Sequence, residues 1–400
     1  MQVLAQLFRP ENLKQIRQTT ETVCRQFVAK EFLDRKPPIA KLEVKHLMDE
    51  LVIKIMIVCS FGRCFDDVGI DFNRFMQSVP KFDQNRRLML ATLIWPRLVD
   101  PVFRLYDKLF GGRQQYFIDS VRKLVEHRRR QCQQIDKQLM ANTTDAADDD
   151  NDNDDYNHKD FLQVFLDYRH NKSDDNNHNN NNNNNRLIDE EIISLFYVTF
   201  LSGFEPMCLM LTMSVYELAN NPDIQRRLYD ELTSDRTDNN NKGSTDLSDL
   251  TYLNAVLMEI LRKYPAIITN RRATEDIHLP DVDLSVPKGT DIDLSFISMY
   301  YNPQYFPDPQ VYNPDRFMPE SADKLVKHSF IPFGSGQVVY CVGERFARVL
   351  MKHVLIALVR TLEFKPCVSV TAKPVANLFK MFPDLLLPNS LDIEYKIRKF

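Results

Sequence analysis

Apolar residues recur every three to four positions along most of this chain, which is the pattern of amphipathic helices. Helices are predicted over 12–33, 44–59, 71–97, 113–140, 253–264 and 346–364. A long helix is also predicted to begin after the acidic residues 189–191 and to run to 220. The alternation that is typical of strands is confined to 277–299, with turns predicted at 280–281 and 287–289. The pattern therefore predicts a mainly α fold with a minor β region.

Two polar tracts interrupt the helical pattern. Residues 142–160 are dominated by Asp and Asn, and residues 171–185 are mostly Asn. Such tracts cannot bury enough apolar surface to offset the entropy lost on ordering, so we expect disordered insertions within a single domain spanning 1–400. A third polar insertion is predicted at 237–245. The histidines in and beside the tracts are interpreted as solvated side chains rather than metal ligands: His158, His170 and His178.

Composition narrows the range of functions. A chain of 400 residues with 44% hydrophobic content can bury one large core or two smaller ones. The net charge of −4 gives no indication of a nucleic-acid partner. The seven cysteines are scattered singly, which favours a reducing compartment and argues against disulfides and structural zinc. No run of eighteen uncharged apolar residues occurs, and no hydrophobic signal region opens the sequence, so we expect no transmembrane segment.

The strongest candidate for chemistry is the loop around Cys341, which reads FIPFGSGQVVYCVGERFA over 330–347. Its glycines allow the backbone to approach a flat ligand without a Cβ clash. Cys341 lies at or just before a predicted helix N-terminus, where free N–H groups and the helix dipole stabilise a thiolate. A thiolate in an apolar loop can be an axial ligand of haem iron. The alternative is a buried free cysteine, and the loop alone does not decide between the two.

This loop resembles the haem-binding loop of the cytochrome P-450 family, the haem-thiolate monooxygenases, whose pattern is F-G-x-G-x-R-x-C-x-G. Most of the chain can be laid against that family, best against its microsomal animal members. Seven residues separate Phe333 from Cys341 where the family has six, and Val339 stands where the family has a propionate-binding arginine. The resemblance implies haem b with the Cys341 thiolate as its axial ligand. It implies further cofactor contacts from Phe333, Gly334, Gly336 and Gly343.

Two further motifs support the resemblance. Glu259 and Arg262 are three residues apart on a predicted helix, so they share a face and can pair. Pro265 follows them, as in the family's E-x-x-R-x-x-P helix. Arg316 lies in YNPDRF at 312–317, which is similar to the family's P-E-R-F. The resemblance implies that Glu259, Arg262 and Arg316 form a buried charge cluster that fixes the loop bearing Cys341.

The centre of the long predicted helix, FLSGFEP at 200–206, resembles the family's A-G-x-E-T oxygen-binding groove. The resemblance implies that Gly203 lets the helix lie against the haem, and that Glu205 helps organise water that delivers protons to dioxygen. Pro206 replaces the family's threonine, so a hydroxyl and a backbone N–H are lost and a kink is expected. The nearby methionines are interpreted as core packing: Met207, Met210 and Met213.

Arg271 is the remaining candidate for holding the cofactor. The resemblance places it where many members have a side chain that reaches a haem propionate. Arginine suits that role because its guanidinium can pair with a carboxylate in bidentate fashion. The alternative is that Arg271 and Arg272 form a solvated pair.

The resemblance implies a monooxygenase that inserts one oxygen atom from dioxygen into a small apolar organic substrate. Electrons would come from an NADPH-dependent reductase, and a full-length form would lie at the cytosolic face of the endoplasmic reticulum membrane. The chain begins at a point similar to the region just after the family's third major helix, so we expect the fold without its N-terminal quarter. Together with the altered loop and Pro206, this leaves a catalytically impaired or non-catalytic haem-binding relative as the alternative.

Overall fold

The computed structural model describes residues 2–34, 40–62, 64–80, 112–142, 160–168, 187–234, 247, 249–265, 269–335, 340–367 and 391–398. The α-helices are α1 Gln2–Leu7, α2 Pro10–Val28, α3 Val44–Phe61, α4 Cys64–Asp67, α5 Phe72–Ser78, α6 Gly112–Asn142, α7 Phe161–Asp167, α8 Asp189–Asn220, α9 Pro222–Thr233, α10 Thr251–Lys263, α11 Phe296–Tyr300 and α12 Glu344–Thr361. The strands are β1 Ala40–Glu43, β2 Thr269–Arg272, β3 Ile277–Leu279, β4 Leu284–Val286, β5 Asp291–Leu294, β6 Leu362–Pro366 and β7 Asp392–Ile397. The predicted mainly α fold with a minor β region is confirmed.

The strands form three small antiparallel sheets. The largest has the order β1-β7-β6, so β7 is its middle strand. The other two are the pair β2-β5 and the hairpin β3-β4. In the β2-β5 pair, Arg271 lies opposite Ile292, which fixes the register of the strand that carries this candidate residue.

Most predicted helices form, and the differences have local causes. The predicted helix over 346–364 ends at Thr361, because the next five residues form β6 and pair with β7. The predicted strand region ends in α11, where the Ser295 hydroxyl caps the helix by accepting from the Ser298 N–H. Of the helix predicted over 71–97, the described part is α5, and Trp95 lies outside the described residues.

The predicted polar insertions lie almost entirely outside the described residues. The first tract touches described structure at its two ends, where Asn142 ends α6 and Asp160 caps α7. Asp160 is buried, and its carboxylate accepts from the Gln163 N–H at 2.9 Å. The end of this tract is therefore part of the packed protein and not of a solvent loop.

The chain divides into two compact units. The first comprises residues 1–24, 49–205 and 345–347, and the second comprises 25–48, 206–344 and 348–400. A cluster of aromatic rings fills the core of the first unit. The rings of Phe61, Phe75 and Phe117 are fully buried and lie against Phe196 or Phe200, with centroid distances of 4.6 to 6.2 Å. That a single domain spans the chain stays a prediction.

The helix α8 is long and apolar enough to cross a membrane. Its most apolar 18-residue window has a mean hydropathy of 1.6, and half of that window is buried inside the protein. A buried core helix meets the same criterion, so α8 is one weak candidate span. The sequence predicted no transmembrane segment because Glu205 interrupts the apolar run of this helix. The helix is nevertheless apolar overall, so that expectation is corrected to one weak candidate span.

A buried ion pair closes the end of α3 in the first unit. Arg128 on α6 donates to the Asp160 carboxylate at 2.6 Å and to the Phe61 carbonyl at 3.3 Å. Gly62 ends the helix with φ +55, and a Cβ placed on it would lie 2.9 Å from Asp160 Oδ2. The glycine is therefore required both by its left-handed backbone and by the nearby carboxylate.

We expect Gly62→Ala to destabilise the protein more than Gly69→Ala. Both glycines have positive φ, +55 and +66, so each substitution incurs roughly 1–2 kcal/mol of backbone strain. Nothing lies within 4 Å of a Cβ on Gly69, whereas at Gly62 the Asp160 carboxylate must move and weaken a charged hydrogen bond, which costs about 1–3 kcal/mol more. Denaturant unfolding measures both variants, and equal losses would contradict the role of Asp160.

Candidate functional site

The loop bearing Cys341 is closed by backbone hydrogen bonds in the second unit. The Cys341 N–H donates to the Phe333 carbonyl at 2.7 Å, and Gly334 forms an isolated antiparallel bridge with Tyr340. Gly334 has φ +82, a conformation that favours glycine, and its N–H donates to the Ile331 carbonyl at 3.0 Å. Gly336 and Val339 lie outside the described residues. The loop thus brings Phe333 and Gly334 next to Cys341, at the start of α12.

The Cys341 thiol is exposed and lies just before the first turn of α12. Partial desolvation is the largest influence on the thiol and raises the pKa of Cys341, and the Glu344 carboxylate raises it further. Hydrogen bonds from the Gly343 and Glu344 N–H groups act in the opposite direction but do not outweigh these effects. The N–H groups at the helix start thus favour the thiolate, as the sequence predicts, but burial and the Glu344 carboxylate oppose them. A cation at the sulfur would supply the missing stabilisation.

The surroundings of this thiol fit a flat group that is bound through sulfur. Gly343 is the N-cap residue of α12, and a Cβ on it would lie 3.9 Å from Cys341 Sγ. Glycine at this position therefore adds no methyl group against the sulfur. An exposed sulfur that accepts backbone N–H groups is a suitable donor for haem iron.

Arg348 connects the loop to α12 and was not singled out by the sequence. Its Nη2 atom lies 2.8 Å from Glu344 Oε1, one turn earlier on the helix. Its guanidinium carbon lies 4.9 Å from the centroid of the Phe333 ring, a cation–π contact. The i,i+4 spacing of Glu344 and Arg348 was the available signal. Arg348 therefore orients both Phe333 and the acid that acts on the Cys341 thiol.

The three residues of the predicted charge cluster lie together. Glu259 and Arg262 are both fully buried, and Arg262 Nε and Nη2 each donate to the Glu259 carboxylate at 2.8 Å. The Asn313 N–H also donates to Glu259, at 3.0 Å. Arg316 makes a looser ion pair, with Nε 3.5 Å from Glu259 Oε1, and donates from Nη2 to the Asp308 carbonyl at 2.9 Å.

Tyr300 connects this charge cluster to the Cys341 loop. Arg262 Nη1 donates to the Tyr300 carbonyl at 3.0 Å, and the Tyr300 hydroxyl accepts from the Ile331 N–H at 3.0 Å. Ile331 in turn accepts from Gly334, so three successive hydrogen bonds run from the buried arginine to the loop. Burial raises the pKa of Tyr300 to about 12, so the phenol stays neutral at physiological pH.

An aromatic cluster supports the same segment of the loop. The centroid of the Phe330 ring lies 5.3 Å from that of Tyr300 and 4.7 Å from that of Phe317. Tyr300 itself is fully buried and stacks on Phe296 at 5.5 Å. Backbone hydrogen bonds and ring packing therefore hold the residues just before Phe333 from two sides.

Arg271 and Arg272 are neighbours on β2, so their side chains point to opposite faces of the strand. Arg272 is exposed and pairs with Asp291 in bidentate fashion, at 2.7 and 2.9 Å. Arg271 is half-buried. The propionate-binding role of Arg271 and the alternative of a solvated pair both stay predictions.

Gly203 and Glu205 lie on α8 and belong to the first unit, whereas the Cys341 loop belongs to the second. Glu205 is buried, with 5% of its surface exposed. The helix continues through Pro206 to Asn220, so the proline does not end it. Met207, Met210 and Met213 follow on the same helix and are buried, as expected for core packing.

Comparison with known proteins gives one consistent result. The family described as Cytochrome P450 matches residues 2–392. "Cytochrome P450 3A25" of Mus musculus is 31% identical over 334 residues, which are 82% of this chain and 59% of that protein. "Probable cytochrome P450 6a13" of Drosophila melanogaster is 27% identical over 333 residues, 82% of this chain and 60% of that protein. "Cytochrome P450 3A9" of Rattus norvegicus is also 27% identical, over 81% of this chain and 59% of its own length. The chain thus spans about 60% of the length of these relatives.

Proposed function

Because this chain belongs to the cytochrome P450 family, we propose that it acts as a haem-dependent monooxygenase on a small apolar organic substrate. The family uses haem iron with a cysteine thiolate as axial ligand. The observation that carries the proposal is the Cys341 loop, where an exposed sulfur accepts backbone N–H groups at the start of α12. When bound, haem supplies the activation of dioxygen, and one oxygen atom is inserted into the substrate.

We assign the binding of haem b to the loop and to β2. Cys341 would provide the thiolate ligand of the iron, and the Arg348 guanidinium holds Phe333 against α12. Gly334 and Gly343 would let the backbone approach the flat ligand, since neither adds a Cβ, and the family resemblance extends this assignment to Gly336. Arg271 would pair with a propionate, because its guanidinium can match a carboxylate with two donors.

We assign proton delivery to Glu205, with Gly203 leaving room beside it on α8. A buried carboxyl group can hold a proton and pass it through water to the reacting oxygen. Pro206 cannot assist, because it has neither a hydroxyl nor a backbone N–H. Glu205 therefore carries the proton transfer without the threonine that usually follows it in the family.

Replacing Glu205 with glutamine is expected to lower turnover by ~10²–10⁴-fold, the usual contribution of a positioned acid. The amide keeps the size of the side chain but cannot release a proton, so the carbon-monoxide spectrum should stay unchanged. Glu190→Gln is the matched control, because Glu190 is an exposed acid on the same helix. Turnover of a fluorogenic alkyl ether with a reductase present measures both variants. Similar rates for the two would remove Glu205 from the mechanism.

A redox partner and dioxygen follow from the family, and we propose an NADPH-dependent reductase as the electron donor. The animal microsomal relatives suggest association with the endoplasmic reticulum membrane. We place the protein at the cytosolic face of that membrane, where such a reductase is accessible. Co-sedimentation with microsomes that contain the reductase tests the placement.

The first test of the proposed function is the absorption spectrum of the purified chain, reduced and saturated with carbon monoxide. We expect a strongly red-shifted Soret band, because a thiolate ligand donates electron density to the iron. A band at the position of imidazole-ligated haem would contradict ligation by Cys341. Folded protein without any haem band would contradict the proposal and favour the non-catalytic alternative.

A further inference from the structure

Three potential metal ligands from two helices meet in the first unit, in residues that the haem proposal does not use. Cys64 and Asp67 are three apart on α4, so they share a face, and His127 lies on α6. One ligand atom from each lies within 4.8 Å of the other two, and Asp67 Oδ2 is 3.8 Å from His127 Nε2. Thiolate, imidazole and carboxylate are all ligands that zinc accepts.

The imidazole of His127 supplies an independent observation. Its Nε2 atom is buried but has no hydrogen-bond partner within the described ranges, since the Asp67 carboxylate is too distant at 3.8 Å. A buried polar atom without a partner costs free energy and is uncommon in native proteins. A cation held between Nε2, the carboxylate and the sulfur would satisfy it.

Hydrogen bonds hold the sulfur of Cys64 in place. Arg128 Nε donates to Cys64 Sγ at 3.0 Å, and the sulfur donates to Gln131 Oε1 at 3.4 Å. The charge of Arg128 is balanced by Asp160, with which it makes a 2.6 Å ion pair. Because Asp160 balances the charge of Arg128, the repulsion between the guanidinium and a cation bound at the sulfur is reduced.

We propose that Cys64, Asp67 and His127 bind a zinc-type divalent cation, with water as a fourth ligand. Zinc bond lengths of about 2.0–2.3 Å place tetrahedral ligand atoms roughly 3.3–3.6 Å apart, so the three groups need to close only slightly. Asp67 is half-exposed and can turn toward the ion. Binding releases the thiol proton to solvent, and the thiolate and carboxylate then neutralise the two charges of the metal.

Zinc content after equilibrium dialysis tests this site. The purified chain is dialysed against a series of buffered free zinc concentrations, and bound zinc per chain is measured by elemental analysis. We expect one zinc per chain, and at least a tenfold loss of affinity in Cys64→Ser, Asp67→Asn and His127→Gln. Cys132→Ser is the matched control, because its thiol lies on the same helix as His127 but outside the ligand set. Cys341→Ala excludes binding at the other candidate thiol.

Two measurements keep the test decisive if Cys64→Ser folds poorly. His127 is only partly buried, so His127→Gln should fold, and its unchanged zinc content would overturn the proposal. Cobalt loaded in place of zinc into haem-free protein reports the sulfur directly, through a thiolate charge-transfer band in the near ultraviolet. The band should persist in Cys341→Ala and disappear in Cys64→Ser, and the reverse pattern would assign the metal to the Cys341 loop.

Discussion

Replacing Glu259 with glutamine is expected to lower the free energy of unfolding by about 3–5 kcal/mol. Glu259 and Arg262 are both fully buried, and the carboxylate accepts two hydrogen bonds from the guanidinium. The amide has the same shape but no charge, so the guanidinium is left in the core without a counter-ion. Chemical denaturation of the haem-free protein measures the loss without a contribution from the cofactor.

An exposed pair of the same geometry provides the control for Glu259→Gln. Arg272 and Asp291 also form a bidentate ion pair, at 2.7 and 2.9 Å, but on the surface. Solvent already stabilises both charges there, so Asp291→Asn should change the unfolding midpoint very little. If both variants lost similar stability, burial would not be the reason that Glu259 matters.

The charge cluster also holds the Cys341 loop in place through Tyr300. A double variant can distinguish this role from the contribution of the cluster to stability. Glu259→Met with Arg262→Met removes both charges, so much of the lost stability should return. The Tyr300 carbonyl nevertheless loses its donor, and the Tyr300 hydroxyl is the group that holds Ile331. Haem retention should therefore stay low in a stable double variant. Full recovery of haem binding would show that the cluster acts on stability alone.

Replacing Cys341 with alanine is expected to abolish the red-shifted Soret band of the reduced, carbon-monoxide-bound protein. The groups that act on the sulfur are the backbone N–H groups of Gly343 and Glu344 and the Glu344 carboxylate, none of which is a thiolate donor. The iron would lose its thiolate ligand entirely, so the effect is complete rather than graded. Absorption spectroscopy at equal haem loading measures it.

Cys132→Ala is the control for the spectroscopic experiment. Its thiol is partly exposed, as an accessible substitute ligand would have to be, but it lies on α6 in the first unit. The red-shifted band should be unchanged in this variant. A band that survives in Cys341→Ala would show that another residue ligates the iron, and the assignment of the loop would then fail.

The sequence predicted the helices well where local signals marked both ends. The end of α8 at Asn220 matches the prediction, because Asn221-Pro222 follows it. Its start was predicted just after the acidic residues 189–191, whereas these residues form the first turn of the helix. The end of α12 was predicted too late. Leu362 and Phe364 continue the apolar pattern of that helix, but they belong to a strand whose partner comes some thirty residues later.

Tyr300 and Arg348 show why the site was predicted only in part. The cluster of Glu259, Arg262 and Arg316 could be proposed from motifs, whereas the role of Tyr300 depends on two hydrogen bonds to residues 38 and 31 positions away. No local pattern marks such a residue. Arg348 did have a local signal in its spacing from Glu344, but its contact with Phe333 arises only when the loop folds back.

Cys64 shows that metal ligands are also missed when their partners are distant in the sequence. Cys64 had no assigned role, because single cysteines carry no spacing pattern and its partner His127 is more than sixty residues away. Only Asp67 is close enough in sequence to be linked with it, through the i,i+3 spacing on one helical turn. The packing of α4 against α6 creates the cluster.

The order of strands in the largest sheet has a consequence for synthesis on the ribosome. β7 lies between β1 and β6, but it is translated about 350 residues after β1. At ~5–20 residues per second, β1 waits roughly 20–70 s for its partner. During that interval Phe32, whose ring packs edge-on against Tyr395 at 5.2 Å, also lacks its contact. The nascent chain thus carries an unpaired strand and an uncovered ring until late in translation, and holding chaperones can bind it throughout that time.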